Sequence, residues 1–288
     1  MKKLSPLLII ISGILWGCMG VFSKTLNKIG FDSMEGSAIR LVICAVIFVI
    51  INFRHLKINT KDIWKFISIG IFSIFTMSYT YFESIRLSSL TLASILLYTA
   101  PFMVTMASYF LYKEKMTPTK IICLILAFSG IIMISGADSE IALTPKGLIF
   151  GLLSGASYAL YSIIGKNLLK TYKPETVCSY AFIFASVMAL ITTDLPLICS
   201  TISESKNLFK TIIIMSGCGV ITAAAPYTLY TLGLKYAPAG KASILACVEP
   251  LTACLIGIII YGDKLGIISL FGIFMIFTAV IWLSKTNK

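Results

Sequence analysis

Residues 240–264, GKASILACVEPLTACLIGIIIYGDK, decide the fold. They place a carboxylic acid, Glu249, beside a proline, Pro250, inside an apolar run of about twenty residues, the length that crosses a hydrocarbon core. Residues 91–115, TLASILLYTAPFMVTMASYFLYKEK, repeat this pattern earlier in the chain, and Pro101 stands 149 residues before Pro250. The chain therefore contains the same element twice.

The composition is that of an integral membrane protein. Hydrophobic residues make up 58% of the chain and charged residues 12%, whereas a soluble domain carries about 25% charged residues. The apolar segments are long and show no alternating pattern, which predicts helices and excludes a barrel. The net charge of +12 comes from lysines in short loops between apolar segments, so we do not expect a nucleic-acid partner.

The apolar runs predict an all-α protein with ten transmembrane helices. These spans are expected near residues 5–24, 34–53, 63–85, 90–112, 118–136, 146–166, 175–194, 210–233, 241–261 and 265–284. Each half of the chain, 1–137 and 144–288, holds five spans. Because five is odd, the second half crosses the membrane in the opposite direction, which predicts two inverted five-helix repeats around a central cavity.

The distribution of basic residues predicts the orientation. Sixteen lysines and arginines fall on the side of the chain termini, and eight on the opposite side. The positive-inside rule then places both termini and residues 54–62 in the cytoplasm, and residues 138–144 with Cys199 outside. We expect a multi-pass protein of the cell membrane.

Several short motifs follow one another along the chain, and the last three of them occur in both halves. They are a Trp16–Gly17 pair in the first span, Arg40 early in the second, ASIL at 93–96 and 242–245, the two mid-span prolines, and the acid–lysine pairs at 114–115 and 263–264. With these motifs the whole chain resembles the EamA-type branch of the drug/metabolite transporter superfamily. The resemblance implies a ten-helix inverted repeat, a cavity bordered by spans that include the fourth and the ninth, and export of amino acids or other small metabolites.

Glu249 is the leading site candidate. An ionisable group inside the bilayer costs at least a few kcal/mol unless it faces a cavity or a partner. Pro250 has no N–H to donate, so the carbonyl of Ala246 is expected to be free beside the carboxyl. If protons drive transport, Glu249 is the best-placed carrier. The alternative is a protonated, hydrogen-bonded carboxyl with a structural role only.

Further substrate-binding candidates are Pro101, Tyr98, Trp16, Tyr81 and Tyr230. A proline in a span is by default a kink, and an aromatic residue is by default a packing or interfacial group, so these alternatives stay open. Trp16 lies too deep in its span for an interfacial belt.

Arg40 and Glu83 are candidates for an outer gate. Arg40 lies about two turns into its span, where an arginine can also snorkel to the surface or pair structurally. Glu83 and Arg86 are three residues apart, so a surface ion pair is the alternative there. The glycines at 13, 17, 20, 151 and 155 predict close helix contacts.

The sequence contains neither an HExxH motif nor a Walker loop, and its single histidine, His55, lies in a loop. We therefore expect neither an enzyme nor a cofactor or metal site. The interpretation is a secondary transporter for a small molecule, working by alternating access. The alternatives are a flippase for a lipid-linked or sugar-linked substrate, and a membrane-embedded subunit without flux of its own.

Overall fold

The computed structural model describes residues 2–53, 56–136, 144–262 and 266–286. Within these ranges the chain is helical and forms no strand. Ten helical stretches are long and apolar enough to cross a membrane: Lys2–Ile29, Ser33–Asn52, Thr60–Leu87, Leu92–Tyr112, Pro118–Ser135, Pro145–Leu168, Pro174–Thr192, Leu208–Tyr236, Ala239–Tyr261 and Ile267–Lys285. We number them spans 1 to 10. The predicted all-α fold with ten spans is confirmed, whereas the expectations for residues 54–55, 138–143 and 263–265 lie outside the described residues.

Five of the ten spans consist of more than one helical segment. The α-helices are Ser5–Gly17, Met19–Ile29, Ser33–Asn52, Ile63–Ile67, Thr76–Leu87, Leu90–Leu97, Ala100–Tyr112, Pro118–Gly136, Pro145–Leu168, Pro174–Thr192, Leu195–Ser203, Leu208–Gly219, Ala225–Tyr236, Ala239–Leu245, Val248–Ile256 and Ile267–Lys285. Lys2–Leu4 and Thr60–Asp62 are short 3₁₀ turns.

Three spans contain π-helical segments, which the sequence analysis did not predict. They are Ser68–Phe75 in span 3, Val220–Ala224 in span 8 and Gly257–Tyr261 at the end of span 9. The first two end at Phe75 and Ala224, which are 149 residues apart, the same interval that separates the two prolines. The two halves therefore share this irregularity as well as their sequence motifs.

A short helix, Leu195–Ser203, connects spans 7 and 8. Cys199 lies in this helix and is exposed. The side chain of Asp194 accepts a hydrogen bond from the Leu197 N–H at 3.1 Å and so caps the helix start. Nine residues are too few to cross a bilayer.

Local interactions fix the end of span 1 and the start of span 2. At the start of span 2 the Asp32 side chain accepts from the Glu35 N–H at 2.7 Å, and the Glu35 side chain accepts from the Asp32 N–H at 2.8 Å. This reciprocal capping box satisfies two N–H groups that the helix leaves open. Gly30, with φ of 123°, ends span 1 in a conformation that glycine adopts readily.

The spans pack as a bundle with a few close pairs. Span 10 lies along span 5, where a Cβ added to Gly130 would approach the Gly272 carbonyl oxygen to 2.6 Å. Span 1 contacts spans 8 and 9, span 6 contacts spans 3 and 4, and span 7 contacts spans 2 and 3. Large side chains such as Ile259 and Phe209 are exposed on the outer faces, as expected of residues that face lipid.

Candidate functional site

Spans 4 and 9 are both interrupted in the middle of their length. In span 4 the helix stops at Leu97 and restarts at Ala100. In span 9 it stops at Leu245 and restarts at Val248. Pro101 and Pro250 lie in the first turn of the second segments, where a residue without an N–H is tolerated. Each proline thus belongs to a helix start rather than to a kink within one continuous helix.

The interruption of span 9 is a tight turn that uses its own carbonyl groups. The N–H of Glu249 donates to the Ala246 carbonyl oxygen at 3.0 Å. The expectation that Pro250 leaves this carbonyl free is therefore wrong, because the turn supplies a donor three residues on. The polar group that span 9 offers to the interior is the carboxyl of Glu249.

Glycines of span 1 bring its backbone onto this turn. A Cβ added to Gly13 would lie 3.0 Å from the Ala246 carbonyl oxygen, and one added to Gly17 would lie 2.8 Å from that of Glu249. Spans 1 and 9 thus touch backbone to backbone beside the carboxyl group, as the small residues predicted. A Cβ added to Gly20 would meet no atom of another described segment within 4 Å, so the predicted close contact is absent at that position.

Span 6 makes the corresponding contact with the interruption of span 4. A Cβ added to Gly155 would lie 2.7 Å from the Leu96 carbonyl oxygen, and one added to Gly151 would lie 2.8 Å from the Leu96 Cβ. These contacts confirm the prediction for this glycine pair. Both interrupted spans are therefore held by a glycine-bearing neighbour.

Between these elements lies a group of aromatic side chains, which we call the aromatic cluster: Trp16, Tyr158, Tyr161, Tyr227 and Tyr230. The Trp16 ring centroid is 5.1 Å from that of Tyr227, 5.3 Å from that of Tyr230 and 6.3 Å from that of Tyr158. The rings meet edge to face or tilted, the arrangements that aromatic pairs prefer. Spans 1, 6 and 8 each contribute to the cluster.

Hydrogen bonds fix two of these tyrosines. The hydroxyl of Tyr230 lies 2.6 Å from the Ser162 hydroxyl, and that of Tyr161 lies 2.7 Å from the Thr231 hydroxyl. In the part of the chain that the structure describes, the hydroxyls of Tyr158 and Tyr227 have no such partner. They are available to a bound molecule.

Glu249 borders the aromatic cluster. Its side chain is partly exposed within the bundle, and the hydroxyl of Tyr98 lies close enough to its carboxyl group to interact with it. Tyr158 and Tyr227 lie within electrostatic range of the same carboxyl. The interruptions of spans 4 and 9 thus meet through Tyr98 and Glu249, and the cluster forms the adjoining apolar wall.

Tyr81 lies beside this meeting point. Its hydroxyl is 3.1 Å from the Ser94 hydroxyl, which links span 3 to span 4, and Tyr81 and Glu249 interact electrostatically. Of the predicted substrate-binding residues, the structure brings Trp16, Tyr81, Tyr98, Tyr230 and Glu249 to one region. Pro101 and Pro250 are buried at the helix starts that shape it.

Arg40 is buried, with 3% of its surface exposed, so it does not snorkel to the membrane surface. Its Nη1 atom donates to the Met19 sulfur at 3.2 Å, and its Nε atom has no partner among the described residues. The Arg40 charge also acts on Glu249 across the bundle. Within the described chain no carboxylate forms an ion pair with it.

Glu83 and Arg86 form an ion pair at 2.7 Å, and the Arg86 side chain is 68% exposed. The surface ion pair considered in the sequence analysis is thus present. A gate role for Glu83 stays a prediction.

On the side of the termini, Glu114 joins three partners that sequence reasoning did not connect. Its carboxylate accepts from the N–H of Ala239 at 2.6 Å and from that of Gly240 at 3.3 Å, at the start of span 9. The Lys120 ammonium lies 3.1 Å from the same carboxylate. In the sequence, Glu114 stands out only as an acid among basic residues at a helix end. The backbone N–H groups that it contacts lie more than a hundred residues further along the chain.

Lys166 holds the neighbouring helix end. Its ammonium donates to the carbonyl oxygens of Leu234 and Ala237 at 2.7 and 2.6 Å, at the end of span 8. A cation there complements the helix dipole.

Beside Lys166 opens a cavity of about 540 Å³ that Lys166, Lys170 and Tyr236 help to line. Among the described residues, no three His, Cys, Asp or Glu side chains gather as a metal site.

Known proteins resemble this chain over its whole length. An uncharacterized transporter of Archaeoglobus fulgidus is 27% identical, with 95% of this chain and 93% of that protein covered. The uncharacterized transporter YwfM of Bacillus subtilis is 24% identical over 98% and 94%. The uncharacterized inner membrane transporter YicL of Salmonella typhimurium is 22% identical over 97% and 95%.

A solved crystal structure has the same fold, with a TM-score of 0.80 at 14% identity, covering 96% of this chain and 95% of that chain. The sequence profile of the EamA-like transporter family matches residues 3–136 and again residues 145–285. The two matches divide the chain where the sequence repeat does. The chain therefore belongs to the EamA-like transporter family.

Proposed function

We propose that this protein is a secondary transporter that exports amino acids or other small metabolites by alternating access. The observation that carries the proposal is the meeting of Glu249 with Tyr98 and the aromatic cluster, where the interrupted spans 4 and 9 face each other. Interrupted helices at the interface of two repeats are a common way to build a transport site.

The site suits an amphipathic solute. A carboxylate beside aromatic faces attracts an ammonium group through charge and through the ring quadrupoles. The faces of Trp16 and Tyr227 offer apolar contact to the rest of the molecule, and the hydroxyls of Tyr158 and Tyr227 offer hydrogen bonds. Charge and apolar surface together discriminate small metabolites from ions and from water.

Alternating access follows from the two halves of the chain. We propose that they are inverted repeats that pivot about the aromatic cluster. The interruptions at equivalent places, the matched π-helical segments and the glycine contacts of span 1 with span 9 and of span 6 with span 4 support this pivot. The cavity beside Lys166 is the proposed entrance from the side of the termini, which the lysine distribution assigns to the cytoplasm.

Glu249 is also the residue through which we propose that transport is coupled to protons. A carboxyl that passes between an apolar and a water-filled environment changes its affinity for a proton. A transport cycle that exposes Glu249 to one side and then to the other can therefore move a proton against the solute. The sequence contains no Walker loop for nucleotide-driven transport, which leaves coupling to an ion or exchange against another solute.

The test is flux in proteoliposomes with an imposed pH gradient and a panel of amino acids and hydrophobic cations. Glu249→Gln keeps the shape and hydrogen bonding of the side chain and removes its titration. We expect this variant to insert normally and to lose pH-driven transport, whereas the exposed Glu175→Gln serves as the matched control and leaves transport unchanged.

Unchanged rate and unchanged pH dependence in Glu249→Gln would show that the carboxyl is structural. Movement of a lipid-linked substrate in place of the soluble panel would favour a flippase. Absence of flux for every solute would favour a membrane-embedded subunit.

A further inference from the structure

A narrow cleft next to Arg40 is distinct from the aromatic cluster. It lies among spans 1, 2, 3 and 8 and is lined by polar side chains that include Ser23, Asn27, Ser33 and Ser37. Its volume is about 20 Å³, room for one water-sized group. Ser33, Ser37 and Arg40 follow one another at helical spacing, so a single face of span 2 supplies the polar floor of the cleft.

Two buried donors in this cleft have no partner. The Nε atom of Arg40 and the hydroxyl of Ser37 are each without a hydrogen bond among the described residues, although their side chains are only 3% and 6% exposed. A buried guanidinium is stable when a counter-charge or several acceptors meet it. The Nε–H group of Arg40 and the hydroxyl of Ser37 therefore lack an acceptor among the described residues.

The nearby carboxylates do not fill that place. Asp32 lines the cleft, but its carboxylate accepts from the Glu35 N–H, and Glu35 in turn accepts from the Asp32 N–H. Both acids are thus engaged in the cap of span 2; Oε1 of Glu35 is buried without a partner among the described residues, but Glu35 does not line the cleft. Glu249 interacts with the charge of Arg40 only at a distance and forms no ion pair with it.

We propose that Arg40 and Ser37 bind the carboxylate group of the transported solute, which rests on the proposed transport function. The Met19 sulfur occupies Nη1, so the side of the guanidinium that carries Nε remains for the ligand. Arginine binds a planar carboxylate side-on through two parallel N–H groups. The Ser37 hydroxyl, one turn earlier on the same face, adds a third donor.

The size of the cleft selects the anion. One oxygen of a flat carboxylate can enter a space of one water-sized group, whereas a tetrahedral phosphate is bulkier. Arg40 and Glu249 then act as two poles of opposite charge, and both interact electrostatically with Tyr227. A solute with one carboxylate and one ammonium group matches both poles, which narrows the proposed substrates to amino acids and other zwitterions.

Binding can be tested without transport. The purified full-length protein in nanodiscs is heated with sodium acetate, with acetamide, which has the same shape without charge, and with sodium chloride at equal ionic strength. We expect acetate alone to raise the unfolding temperature in a saturable way. Acetate should also slow the alkylation of Cys218, which lines the cleft, as followed by mass spectrometry.

The variants assign the effect to named atoms. Arg40→Met should weaken acetate binding at least about tenfold, since it removes the charged donors. Arg40→Lys retains the charge without the planar fork and should bind with intermediate strength. Ser37→Ala should weaken binding about three- to tenfold and tests the site if Arg40→Met does not fold. Arg86→Met removes an exposed arginine and is the matched control, with binding unchanged.

Equal stabilisation by acetamide, or unchanged acetate binding in both Arg40→Lys and Ser37→Ala, would overturn the assignment. Stabilisation by inorganic phosphate as strong as that by acetate would overturn the selection of a carboxylate. Failure of the transport proposal is recognised separately, because acetate would then bind through Arg40 while no solute of the flux panel moves.

Discussion

Removing Glu114 should destabilise the protein more than removing Glu114 and Lys120 together. Glu114→Ala leaves the Lys120 ammonium, 7% exposed, without its counter-charge, and it leaves the N–H groups of Ala239 and Gly240 without their acceptor. Breaking a buried ion pair from one side costs about 3–5 kcal/mol. In the double variant Glu114→Ala/Lys120→Met the stranded charge is gone, and the loss of the N–H acceptor accounts for about 1–3 kcal/mol.

The assay is denaturant-driven unfolding in mixed micelles, with the free energies compared in a double-mutant cycle. The exposed pair of Glu83 and Arg86 is the control, for which we expect a coupling of about 0–1 kcal/mol. A double variant that is as unstable as the sum of its two single variants would refute the reasoning, because the two side chains would then act independently.

Four further outcomes are expected. Gly130→Ala should destabilise by about 1–3 kcal/mol, because the new Cβ would approach the Gly272 carbonyl oxygen to 2.6 Å; Gly20→Ala, with no atom within 4 Å, should be neutral or stabilising in the same unfolding assay. Cys199 should react with a membrane-impermeant thiol reagent in intact cells, as the charge count requires, and labelling only after cell opening would reverse the assigned orientation. Trp16→Phe should keep the fold and weaken binding of an aromatic solute in equilibrium titrations, whereas unchanged affinity would remove Trp16 from the site.

The ten spans were predictable because a bilayer imposes a length and an apolar composition on any helix that crosses it. The interruptions of spans 4 and 9 were signalled by Pro101 and Pro250, since proline withdraws a donor from the helix. Gly13 and Gly17 likewise marked a close contact from sequence alone. These features are local, and local chemistry is what a sequence displays directly.

The remaining features depend on contacts between distant parts of the chain. The partner backbone of Glu114 at Ala239 lies 125 residues away, and no pattern around either residue indicates the other. Whether the Ala246 carbonyl is hydrogen-bonded depends on the geometry of the turn at Glu249, and the presence of Pro250 does not determine that geometry. The aromatic cluster draws on three spans, so the sequence offered Trp16 and Tyr230 as candidates without indicating that they meet.

The unpartnered donors at Arg40 and Ser37 belong to the same class. A sequence shows that an arginine lies in an apolar span, but only the packed bundle shows that neither water at the surface nor a neighbouring acid satisfies it. The snorkelling alternative was reasonable from depth alone and fails because spans 1 and 8 enclose the side chain.

The π-helical segments of spans 3 and 8 bear on how insertions and deletions act in this protein. Such a segment carries an extra residue in its turn, and one residue corresponds to about 100° of rotation in an α-helix. Deleting a single residue within Val220–Ala224 would let the backbone relax to an ordinary α-helix at little local cost. It would also turn Tyr227 and Tyr230 away from Trp16. The number of residues in this segment therefore sets how Tyr227 and Tyr230 are rotated about the helix axis relative to the earlier part of span 8.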